Sequence, residues 1–170
     1  EATAAIIGAE EAVLRELIGD VIFGIDDQSM EVVVLDLLGQ RGLSLAVAEG
    51  LTGGVLSARL SEVDHDLATF LGGRVGGDVG GEPVDQLRSG ADIAAEAAKD
   101  VRHDFGANLG LAVIAAQAHD GQAPGTVFMH LAMDRAQHGG TVSLPGDRAR
   151  FRNYAVINVL NFLRKILADI

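Results

Sequence analysis

A cysteine-free chain of 170 residues, 48% hydrophobic, is long enough for one well-packed domain, and it excludes disulfides, thiolate nucleophiles and cysteine-built metal sites. Its formal net charge is −11, with nine acids against one base (Arg15) in residues 1–40, so the surface repels phosphate backbones and a nucleic-acid partner is excluded. No apolar run approaches the roughly 18 residues of a membrane span and no secretory leader is visible, so no membrane partner and a cytoplasmic location are expected.

The first periodic stretch, residues 9–19, spaces Val13, Leu14, Leu17 and Ile18 as one stripe of a helix and stops at Gly19. Asp27 or Ser29 caps a second helix, Met30 to Leu38. The run 43–49, LSLAVAE, reads as a buried strand, and GLTGG leads from it into a helix around Val55 to Val63. Asp66 to Leu71 suggests another short helix, and the glycine pairs 72–73, 76–77 and 80–81 a flexible or bulged segment. Ala91 to Phe105 is amphipathic, with Ile93, Ala94, Ala97, Ala98, Val101 and Phe105 on one face. Three strand-like runs follow, 109–116, 125–133 and 139–144, and Pro145-Gly146-Asp147 opens a closing helix. Strands between helices at both ends predict an α/β fold, a three-layer α/β/α sandwich with a central mixed sheet.

The glycine pairs fit no phosphate cradle. A dinucleotide fingerprint needs glycines at relative positions 1, 3 and 6, a P-loop ends in Gly-Lys-Ser/Thr, and Asp78 and Glu82 repel anions. AEGLTGG, 48–54, fits an anion site better, because a strand end there feeds a helix N-terminus and Thr52 adds a hydroxyl. The alternative is a tight turn whose Thr52 caps the helix. The five histidines show no metal-ligand spacing, so no metal and no cofactor are expected. Arg148, Arg150 and Arg152 begin the last helix, against its dipole, and either mark an anion site or pair with the acidic surface.

In order and spacing, LSLAVAEGLTGGVLSARLSEV, FLGGRV, LGLAVIAA, PGTVFMHLA and LPGDRARFRNYAVINVLNFL resemble the CinA family C-terminal domain, which includes the PncC-type nicotinamide mononucleotide deamidases. The resemblance implies a domain over 43–170, preceded at 1–42 by a helical connector like that of two-domain CinA proteins. Together with a first residue that is Glu1 and not Met, it suggests a piece of a longer chain with an upstream molybdopterin-binding-like domain. It also implies a homodimer and a nicotinamide mononucleotide-like ligand.

The family's first motif reads Ala-Glu-Ser-Cys-Thr-Gly-Gly, its serine being the nucleophile. In this register the chain has Ala48-Glu49-Gly50-Leu51-Thr52-Gly53-Gly54, so the nucleophile position is Gly50. The second motif places a Tyr and a Lys that activate the serine; here those positions are Gly77 and Glu82. The third, Val-Thr-Gly-Ile-Ala-Gly-Pro, has become Val113-Ile114-Ala115-Ala116-Gln117-Ala118-His119.

Amide hydrolysis by this route needs a nucleophile, a base and oxyanion donors. Losing one member of such a set costs on the order of 10³ to 10⁶ in rate. The sequence therefore leads to a silent relative with a structural, regulatory or ligand-binding role, whose ligand contacts are Glu49, Thr52, Gly53, Gly54 and Arg148. The alternative is an active deamidase with an altered site, in which Thr52 stands in as nucleophile or Glu49 or Glu82 acts as the base of a water attack.

Overall fold

A computed structural model describes residues 2–19, 22–24, 26–65, 68–76, 88–145 and 148–170. The elements are α1 (Ala2–Ile18), α2 (Met30–Gln40), β1 (Leu45–Glu49), α3 (Val55–Val63), β2 (Phe70–Val75), α4 (Gly90–Asp104), β3 (Leu109–Ala115), β4 (Thr126–Ala132), β5 (Gln137–Ser143) and α5 (Arg148–Ala168). The strands form one sheet in the order β2-β1-β3-β4-β5. β1 pairs parallel with β2 and β3, and β4 runs antiparallel to both β3 and β5. This is the expected mixed-sheet α/β sandwich.

Serines set two of the helix starts. Ser29 accepts a hydrogen bond from Val32 N and Ser89 one from Asp92 N, each satisfying an otherwise orphaned donor of the first turn. The central strands β1 and β3 are apolar almost without interruption, because helices cover them on both sides. One face packs against α2, α3 and α5, with Val34, Leu38, Leu56, Leu60, Val159, Leu160 and Leu163 meeting Leu45, Leu111 and Leu131. The other packs against α4, where Ile93, Ala94, Ala97 and Ala98 meet Ala46, Ala48, Ala112 and Phe128.

Three features go beyond the sequence reading. Phe70 and Leu71, expected in a short helix, begin β2, and Gly72 and Gly73 pair with Ala46 and Val47 of β1. A register shift there leaves Leu71 as a bulge. Here glycine answers crowding. A Cβ on Gly73 would stand 2.6 Å from Ser57 Oγ and 2.7 Å from Val47 Cγ2, so no larger residue fits between α3 and the strand.

The second concerns α2: its Met30, Val34, Leu35 and Leu38 are buried in the same cluster as residues of α5. Arg59 of α3 also reaches the buried Glu31 of α2, Nη2 to Oε1 2.5 Å, although the contact lies off hydrogen-bonding geometry. Third, the apolar stripe of α1 is not covered. Val13, Leu14, Leu17 and Ile18, joined by Ile6 and Ile7, are each about half exposed or more, Leu17 reaching 73%.

Candidate functional site

β1, β2 and β3 end together, and the connections leaving β1 and β2 pass to opposite faces of the sheet, α3 on one and α4 on the other. In open α/β sheets the crevice outside the carboxyl ends at such a divergence is where ligands bind. The turn 50–54 lies there, between the end of β1 and the start of α3.

Glu49, the last residue of β1, is buried and turns its carboxylate into the N-terminus of α3. Oε2 accepts from Thr52 Oγ1 at 2.6 Å, Gly54 N at 3.0 Å and Leu56 N at 3.0 Å. Oε1 accepts from Ser57 N at 2.8 Å and from the Ser57 hydroxyl. An internal carboxylate thus takes up three of the helix's orphan N–H groups and sits at the positive end of its dipole. Ser57 is a participant that the sequence reading missed, and its place in the first turn after LTGG was the available signal.

Sequence reasoning offered Thr52 either as a cap or as a ligand donor. It neither caps α3 nor faces outward: the N-cap residue is Gly54, and Thr52 is fully buried with its hydroxyl donated to Glu49. Gly53 and Gly54 have φ of +64° and +91°, the left-handed region that glycine tolerates without strain. Among the described residues, the backbone N–H groups of Leu51, Thr52 and Gly53 make no hydrogen bond.

Gly50 closes the β1 side of the turn, its N–H donating to Val113 O at 3.1 Å. Its backbone needs no glycine, since its φ lies outside the left-handed region. A Cβ built on it would, however, stand 2.8 Å from Ile114 Cδ1. The turn therefore carries no side chain at the position where the family resemblance places a nucleophile.

α5 completes the site from the other side. A Cβ on Gly53 would lie 3.6 Å from Arg152 Cζ and 3.7 Å from its Nη1, which puts the guanidinium directly beside the turn. Arg152 is exposed and makes no ion pair among the described residues. The sequence reading singled out Arg148 among the three arginines that open α5, whereas the residue found beside the turn is Arg152. Arg148 is the first residue of α5, its side chain outside the described residues. Gly77 and Glu82 also lie outside the described residues.

Among the described residues no cluster of three or more metal-ligating side chains occurs. Burial lowers the titration of His130 of β4 below its ordinary 6.5, partly offset by the hydrogen bond to the Gln137 side chain, with Lys99 and His138 adding to the lowering. No described helix is long and apolar enough to cross a membrane.

The family model for the CinA C-terminal domain matches residues 27–76 and 88–167. The chain belongs to the CinA C-terminal domain family. The match begins before α2, in keeping with its place in the core. A CinA-like protein of Frankia casuarinae is 38% identical over 97% of this chain and 41% of its own length. One from Dictyoglomus thermophilum is 32% identical over 92% of this chain and 42% of its own. The chain thus spans about two fifths of these relatives. The crystal structure of a competence or damage-inducible protein from Enterobacter asburiae superposes with a TM-score of 0.71 at 23% identity, over 83% of this chain and 99% of the other, and establishes the shared fold.

Proposed function

We propose that this CinA C-terminal domain has lost amide hydrolysis and keeps its fold to bind a compact anion or nucleotide phosphate, in a structural or regulatory role within a longer CinA-like protein. The observation that carries the reading is the turn itself. Position 50 has no side chain, and the one hydroxyl within the turn, that of Thr52, is buried and bonded to Glu49. Attack on a carbonyl carbon needs an exposed nucleophile in line with it. What faces outward is of another kind: the backbone at Gly53 and Gly54 and the guanidinium of Arg152. Unpaired N–H groups beside a cation suit an anion, with Arg148 proposed as a further contact and the buried Glu49 and Thr52 holding the turn from within.

A second reading has one observation in its favour. Thr52 Oγ1 and Glu49 Oε2 at 2.6 Å are placed like a hydroxyl and its general base, which supports an active nicotinamide mononucleotide deamidase with a non-standard site. Incubation with nicotinamide mononucleotide and assay of released ammonia separates the two. The silent reading expects none, and turnover abolished by Thr52→Val would replace it with the second. Binding is read separately: inorganic phosphate at millimolar concentration is expected to raise the thermal midpoint, and Arg152→Ala to remove that rise. The homodimeric, cytoplasmic state is proposed from the family resemblance, and the apolar side chains exposed on α1 support burial against a further surface.

A further inference from the structure

We propose that Ile114 determines what position 50 can carry, and through it that the turn presents only backbone and Arg152 to a ligand. The inference rests on the anion-site reading for its consequence, though not for its geometry. Glycine is required at a position either by a left-handed backbone or by a neighbour that leaves no room for Cβ. At Gly50 the first cause is absent, because its φ is one that any residue adopts. The second reduces to a single atom. Ile114 Cδ1 stands 2.8 Å from the Cβ position, whereas the next neighbours, Val113 O at 3.8 Å and Gly76 O at 3.9 Å, are at ordinary contact distance. Cδ1 is the free end of its side chain, but Ile114 is only 4% exposed and packs in the alanine-rich cluster under α4, which restricts where that end can swing. Position 50 and Ile114 thus compete for one volume at the ends of β1 and β3. While Ile114 holds it, position 50 offers a ligand no side chain, and the polar contacts left at the turn are those beside Gly53. That selects a compact anion over a molecule with an arm reaching toward β3.

Ile114→Val removes Cδ1 alone, so a mutant cycle tests the competition. In the wild-type background Gly50→Ala and Gly50→Ser are both expected to lower the thermal midpoint by about 2–8 °C, and by equal amounts, since the shared Cβ causes the clash. In the Ile114→Val background the same substitutions should cost on the order of 1 °C or less. Failure of Gly50→Ser to fold alone, with recovery in the Ile114→Val double variant, supports the proposal equally. Additive effects, an unpenalised Gly50→Ala in the presence of Ile114, or a double variant that does not fold would each overturn it. Phosphate titration of the wild type reports on the anion site independently, so failure of that reading leaves the outcome of the cycle interpretable.

Discussion

On one face of the sheet, α2, α3 and α5 set Leu38, Leu60, Leu160 and Leu163 against Leu45, Leu111 and Leu131; on the other, α4 sets Ala94, Ala97 and Ala98 against Ala46, Ala48 and Ala112. The first face gains stability by filling volume with branched side chains. The second does so by leaving volume out, so that backbones approach. Gly110 is the clearest case: a Cβ there would stand 1.9 Å from the Ala98 carbonyl oxygen, which only glycine permits. Two faces of equal burial therefore have opposite tolerances. Truncation harms the three-helix side, and enlargement harms the α4 side.

The sharpest test of this difference is Leu160→Ala, a truncation at a fully buried position. It is expected to lower unfolding free energy by about 2–5 kcal/mol in denaturant titrations, the usual transfer and cavity cost. A loss well under 1 kcal/mol would mean that the three-helix side is not packed as described. Gly110→Ala makes the reverse change, adding one carbon on the α4 side, and should cost about 1–3 kcal/mol as α4 lifts from the strand. If the alanine variant equalled the wild type, close approach would not be what holds that layer together.

The smallest effect concerns His130, which lies on the α4 side of β4 and whose protonation burial disfavours. Below the ordinary value of 6.5 the unfolded chain takes up a proton there that the folded chain resists. Stability is thus full above that pH and falls as pH drops through it toward the lowered folded value. His130→Gln should flatten this part of the pH profile. Superimposable profiles for the two proteins would remove the effect from His130.

Much of this was readable from residue order. The strand, glycine turn and helix around 45–63, the amphipathic α4 and the three later strands follow from periodicity and from glycine or proline punctuation. β2 was not readable, because Gly72-Gly73 carries the local signature of a loop and only the crowding by Val47 and Ser57 explains it as a strand. In the site, the position of the turn was legible and the destinations of its side chains were not. Glu49 looks outward in a motif and turns inward in the fold. Neither the approach of Arg152 to Gly53 nor that of Ile114 to Gly50 has any trace in the spacing of residues so far apart in the chain. The stripe on α1 was correctly read as a helix, but periodicity says nothing of what lies over it.

Glu49 has one more implication, for heat and not for chemistry. With its five hydrogen bonds already closed, the loop stands in final form before any visitor arrives, like a socket moulded in advance. Filling the anion site proposed above would then order no part of this turn and bury little oily surface, so calorimetry of a phosphate titration is expected to register almost no change in heat capacity.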